Sequence, residues 1–155
     1  MARRSAAARE QSVDYTAAAP CALAPDDKHL VRGPMDICAL VADLLDKPQE
    51  HFVVLALNTR GRLIKRIDVS VGTLASVYVH PRDVFRGLIA VNAASGVAVH
   101  NHPSGDPTPS EEDVKITHQL QAAGEILGIP VLDHIIVAER GIYSFMSQSR
   151  DWKRG

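Results

Sequence analysis

The chain has 155 residues, 46% of them hydrophobic, which is enough for one domain with a buried core. Seventeen Lys and Arg against eighteen Asp and Glu leave a formal net charge of -1, so no global positive field gathers nucleic acid or an anionic membrane. No apolar run approaches the roughly 18 residues that cross a bilayer, and Cys21 and Cys38 lack the spacing of a redox pair or a Cys-rich zinc finger.

These features suit a reduced, cytoplasmic protein. Residues 1–30, with Pro20, Pro25 and no sustained apolar face, read as a disordered N-terminal tail without the core of a signal peptide. The folded domain is expected over residues 31–148, and residues 149–155 as a polar, basic tail.

From Pro34 the spacing predicts a helix carrying Ile37, Leu40, Val41, Leu44 and Leu45 on one face and stopping near Pro48. HFVVLALNTRGRLIKRIDV then reads as two strands around the turn Asn58-Thr59-Arg60-Gly61. The apolar run Phe52 to Leu57 predicts a strand covered on both faces. Gly72-Thr73 marks a turn, and Ser76 to Val79 a third extended segment. Pro81 opens a helix carrying Val84, Phe85, Leu88 and Val91, closed by Ser95-Gly96. Val97 to His100 is short and β-prone. Ser110 begins a helix in which Ile116, Leu120, Ala123 and Leu127 share a face and which ends at Gly128. VLDHIIV reads as a buried strand, and Gly141 turns the chain into a last strand, Ile142 to Met146. Strands and helices mixed in this order imply an α/β sandwich with a mixed sheet.

HNHPSGDPTPSEED, between two of these elements, carries the chemistry. On a strand, side chains at i and i+2 share a side, so His100 and His102 can present two imidazoles to one ion while Asn101 faces away. Pro103 ends the strand and leaves the pair at its rim. Asp113 shares the inward face of its helix with Ile116 and Leu120, which turns its carboxylate toward the core. Two imidazoles and a carboxylate leave the fourth tetrahedral position to water, the arrangement of a catalytic zinc site. A plainer reading stands beside this one: Ser-x-x-Asp ahead of an apolar helical run resembles a capping box, with Ser110 as N-cap. The combination of His-x-His-Pro, the later serine and the aspartate three residues on favours the metal site. Asp133-His134 could orient an imidazole ligand from behind, or be a buried structural pair. His29, His51, His80 and His118 have no partner pattern and read as surface or structural. Pro103, Gly105, Pro107 and Pro109 stiffen the loop between the ligands.

His100-x-His102-Pro103, Ser110 and Asp113 resemble the JAMM motif of the MPN (JAB) metalloprotease superfamily. VHPRDVF, NAASGVAVHNHPSGDPTPSEED and LDHIIV are similar to its RadC branch, and the resemblance covers about residues 34–148. The HNH nucleases are not meant by these letters, because their three named residues are scattered over a longer ββα unit. The resemblance implies an MPN/JAB-like (cytidine deaminase-like) fold, a mixed β-sheet sandwiched by helices. It implies Zn2+ held by His100, His102 and Asp113, with Ser110 bonding the oxyanion or the catalytic water. It also implies a general base at Glu50, just before the buried run HFVVLAL; on its own, Glu50 reads as an exposed acid opening a strand. The implied reaction is hydrolysis of an amide, peptide or isopeptide bond in a peptide or protein substrate. Two other readings compete: a catalytically silent MPN interaction module, and a metal-dependent nuclease tied to DNA repair. Longer RadC-like proteins carry an N-terminal helix-hairpin-helix domain, for which residues 1–30 are too short and irregular, and the near-zero charge does not support nucleic-acid binding.

Overall fold

Three runs too apolar to alternate with polar residues form the middle of the molecule: β1 (His51–Leu57), β3 (Ser95–Asn101) and β4 (Val131–Ala138). The computed structural model describes residues 30–72, 79–150 and 152. With β2 (Leu63–Val71) and β5 (Gly141–Ser144) at the edges, the strands form one five-stranded sheet in the order β2-β1-β3-β4-β5. β3 and β4 are parallel and every other pairing is antiparallel. Parallel neighbours need a crossover, and α3 (Glu111–Leu127) supplies it.

Both faces of the central strands are covered, as the apolar run in β1 predicts. Val53, Leu55, Val97, Val99, Ile135 and Val137 pack on one side with Ile37, Val41 and Leu44. Phe52, Val54, Ala56 and Ala98 pack on the other with Val84, Phe85 and Leu88 of α2 (Pro81–Ala90) and Leu120 of α3. This is the expected mixed sheet sandwiched by helices. The Asn58 turn also forms as expected, its Oδ1 accepting the N–H groups of Arg60 at 2.9 Å and Arg62 at 3.1 Å.

Four local readings change. The helix expected from Pro34 to near Pro48 divides into α1 (Pro34–Leu40) and a 3₁₀ turn, Ala42–Asp46. Tightening to three residues per turn stacks Val41 and Leu44 inward and turns Leu45 out, leaving it 54% exposed. Ser95 and Gly96 begin β3 rather than closing α2, which ends at Ala90 ahead of Asn92 in the left-handed region at φ 52°. The inward stripe of α3 is Thr117, Leu120, Gln121 and Gly124, and Leu127 is exposed. The last expected strand stops at Ser144, whose hydroxyl oxygen accepts the Ser147 N–H at 3.2 Å and so starts α4 (Phe145–Gln148). Of the turn at Gly72-Thr73 and the segment Ser76 to Val79, only Gly72 and Val79 lie within the described residues, as do none of residues 1–29. Among the described residues no helix is long and apolar enough to cross a membrane.

Candidate metal centre

The two-residue period of β3 sends Ala98 and His100 to the face covered by α3, with His102 following just past the strand end. His100 is buried, its ring stacked on Phe52 at 5.7 Å between centroids and 11° between planes. Facing it is the first turn of α3. Ser110 is the N-cap: its hydroxyl oxygen accepts the Asp113 N–H at 3.1 Å, and Asp113 Oδ2 accepts the Ser110 N–H at 2.7 Å. The capping box therefore forms, and the same carboxylate reaches the histidines. Asp113 Oδ1 lies 3.1 Å from His100 Nε2 and Oδ2 lies 3.4 Å from His102 Nε2. The two Nε2 atoms are 3.0 Å apart. Cap and ligand geometries coexist on one residue.

The donor set fits a metal. One candidate ligand atom from each of His100, His102 and Asp113 lies within 4.8 Å of the others. His102 Nδ1 donates to the Asp106 carbonyl at 2.8 Å, so a neutral His102 presents a bare Nε2 to the cluster. A bare imidazole nitrogen, a second imidazole nitrogen and a carboxylate converging on one point repel one another unless a proton or a metal cation sits among them. Burial opposes charge on His102, but the Asp113 carboxylate and the Asp106 carbonyl, with the charge of Glu50, outweigh it and raise the imidazole, so the cluster attracts a proton as well as a metal ion. Burial likewise opposes charge on Asp113, yet the imidazoles of His100 and His102 at its two oxygens hold its carboxyl far below the usual carboxylate range.

The proline-rich loop sets the Asp106 carbonyl in place. Gly105, at φ 82°, donates its N–H to the His102 carbonyl at 3.0 Å and accepts from Arg140 N–H at 3.1 Å. Asp106 Oδ1 then accepts the Thr108 N–H at 2.9 Å, closing a turn before the helix.

Behind His100 lies His134 of β4, completely buried, with its Nε2 2.8 Å from His100 Nδ1. Burial lowers the His134 imidazole well below its ordinary range, so this histidine is neutral. Its Nδ1 is 2.6 Å from Thr117 Oγ1 of α3. Of the pair Asp133-His134, only His134 touches the centre. The Asp133 side chain accepts from the Ser144 hydroxyl at 2.6 Å, the Met146 N–H at 2.9 Å and the His134 backbone N–H at 2.8 Å. It ties β4 to α4.

Glu50, half-buried at the entry to β1, lines a cleft of about 1080 Å³ together with His100, His102, Ser110 and Asp113. Asn101, on the opposite side of β3 from His100, reaches the segment that carries Glu50. Its Oδ1 accepts the His51 N–H at 2.7 Å and its Nδ2 donates to the Gln49 carbonyl at 3.0 Å. The Ser110 hydroxyl donates to Asp113 Oδ2 at 2.7 Å, so its proton points at the carboxylate. Asn101 faces away from the pair as expected, but its hold on the Glu50 segment was not anticipated, and His80, exposed as expected, also lines the cleft wall. Thr117 was missed; only its place one turn after Asp113 on the same face pointed to it.

A mixed sheet covered on both faces, with strand histidines meeting a helix-capping aspartate at the end of a parallel crossover, defines a JAB/MPN-like domain with a candidate metal centre. The family model described as "RadC-like JAB domain" matches residues 31–151, and the chain belongs to that family. It is 48% identical over 128 residues to a "UPF0758 protein" of Desulforamulus reducens, covering 82% of this chain and 56% of that protein. It is 44% identical over 123 residues to "UPF0758 protein YsxA" of Bacillus subtilis, covering 79% of this chain and 53% of that protein. The chain spans about half the length of these relatives.

Proposed function

We propose that this domain is a zinc-dependent metallohydrolase of the JAMM type that cleaves an amide, peptide or isopeptide bond. The observation that carries the reading is the convergence of His100 Nε2, His102 Nε2 and the Asp113 carboxylate on one point, with Glu50 on the wall of the same cleft. Zinc held by those three residues supplies a Lewis acid that polarises a carbonyl and acidifies water. Glu50 takes the proton of the attacking water and returns it to the departing amine. Ser110 turns its hydroxyl from Asp113 toward the oxygen on which charge develops, a contribution worth a few kcal/mol in comparable sites.

The charge of the cleft favours an amide over a phosphodiester. Among the described residues, Glu50, Asp106 and Glu112 line it against one lysine, Lys115, and this negative balance repels a polyanionic backbone. The cleft volume of about 1080 Å³ admits an extended peptide segment.

The test pairs metal analysis with turnover. Wild type purified without chelator should hold one zinc per chain, His100→Ala should lose it, and Glu50→Gln should keep the metal while losing hydrolysis in a screen of peptide and isopeptide substrates. Failure of wild type to take up zinc, or full turnover by Glu50→Gln, would overturn the reading. Metal-dependent cleavage of DNA in place of peptide would replace it with the nuclease reading.

A further inference from the structure

We infer that Thr117 and His134 are positioning residues that set the tautomer of His100 and so make its Nε2 a metal ligand. The inference rests on the metal reading above and adds to it the origin of the lone pair.

The hydrogen-bond directions follow from the chemistry of the partners. Thr117 Oγ1 lies 2.5 Å from the Asp113 backbone carbonyl, which can only accept, so the single hydroxyl hydrogen of Thr117 is spent there. At 2.6 Å from His134 Nδ1, the Thr117 oxygen can then only accept, which places the one proton of a neutral His134 on Nδ1. His134 Nε2 is left as a lone pair, 2.8 Å from His100 Nδ1, and it accepts from that nitrogen. With its proton on Nδ1, neutral His100 presents a bare Nε2 toward Asp113 Oδ1 at 3.1 Å. The opposite tautomer would put a hydrogen on Nε2 and block ligation.

The relay starts at the carbonyl of Asp113 and ends at His100, whose bare Nε2 faces the Asp113 side chain, so an open chain of hydrogen bonds ties α3, β4 and β3. Thr117, His134 and His100 are each at most 2% exposed, so water does not compete for these groups. His102 needs no such relay because the Asp106 carbonyl, an obligate acceptor, fixes its tautomer directly. The two histidines are thus set by separate devices, one on the loop and one through the core.

Side-chain nitrogen correlations of ¹⁵N-labelled, metal-free full chain, taken at mildly alkaline pH, read the tautomer directly. His100 and His134 should each carry the proton on Nδ1. Thr117→Val, which keeps the shape and removes the hydroxyl, should shift His134 and His100 away from that state and weaken zinc affinity roughly 10- to 100-fold. Thr117→Ser should restore both. A wild-type His100 protonated on Nε2, or a folded Thr117→Val with unchanged tautomers and zinc affinity, would overturn the inference. Should Thr117→Val fail to fold, the wild-type tautomers and the Thr117→Ser affinity still decide it. A wild type that takes up no zinc would overturn the metallohydrolase reading instead, and the tautomers of the metal-free protein would still decide the relay.

Discussion

The side-chain oxygen of Asn101 accepts the backbone N–H of His51 at 2.7 Å, across a separation of 50 residues. The middle letter of His-Asn-His thus works on the opposite side of the sheet from its neighbours. Its amide also donates to the Gln49 carbonyl at 3.0 Å, so it grips the residues on both sides of Glu50. Asn101→Leu removes the side-chain partner of these part-buried backbone groups, at about 1 kcal/mol. Zinc stoichiometry should stay at the wild-type value, while turnover falls with the displacement of Glu50. Loss of zinc together with turnover would show that Asn101 acts on the histidines instead.

Gly124 lies where α3 packs against the chain returning into β4. A Cβ there would stand 2.7 Å from the Ile129 carbonyl oxygen and 3.4 Å from the Val131 nitrogen, both backbone atoms with little room to yield. Gly124→Ala should destabilise by about 1–3 kcal/mol, measured by urea unfolding, against the slight gain alanine brings in an open helix. The same displacement pushes α3 off β4 and lengthens the Thr117–His134 contact. Zinc affinity should fall in parallel with stability.

The strands were legible because β1, β3 and β4 are apolar on both faces, a pattern that survives any detail of packing. The meeting of His100, His102 and Asp113 was legible because strand period and helix cap each aim a side chain by local geometry alone. Thr117 and Gln121 were not, because apolar periodicity ignores a buried polar residue. Thr117 is tolerated inside only because its hydroxyl finds the Asp113 carbonyl and His134. Leu45 misled for a related reason: its 3.6-residue spacing is inward on an α-helix and outward once the chain tightens to 3₁₀. The hold of Asn101 on the Glu50 segment has no local signal, since it depends on which strands lie side by side.

Asp43 of the 3₁₀ turn pairs with Arg66 of β2, two guanidinium nitrogens meeting two carboxylate oxygens. The hydrogen bond from Arg66 holds the Asp43 carboxyl below the usual range, outweighing its slight burial. A depressed acid stabilises the fold above the unfolded value of about 3.9, and that contribution is lost as pH falls through the folded value. The carboxylate is half exposed, so solvent screening limits the pair to less than about 1 kcal/mol. Asp43→Asn should lower the urea midpoint slightly at pH 7 and in low salt. The gap to wild type should close as pH drops from about 5 toward 3, and in high salt at neutral pH. A gap independent of both pH and salt would mean that packing, not charge, accounts for the pair.

Asp113 serves a helix cap and a cation cluster at once, and two substitutions separate the roles. Asn at position 113 keeps an oxygen that can accept the Ser110 N–H, now bonded at 2.7 Å, but removes the negative charge facing both imidazoles. Asp113→Asn should therefore retain the start of α3 and lose most zinc affinity. Asp113→Ala removes the acceptor as well, adding about 0.5–2 kcal/mol of lost capping. In metal-free protein the two variants should thus differ in unfolding free energy by roughly the capping term, and both should differ from wild type in zinc titrations. Equal metal-free stability of the two would show that the cap contributes nothing beyond the serine hydroxyl. Retained zinc affinity in Asp113→Asn would show that the carboxylate is a cap alone, and the metal site would have to be rebuilt from the histidines and a different acid.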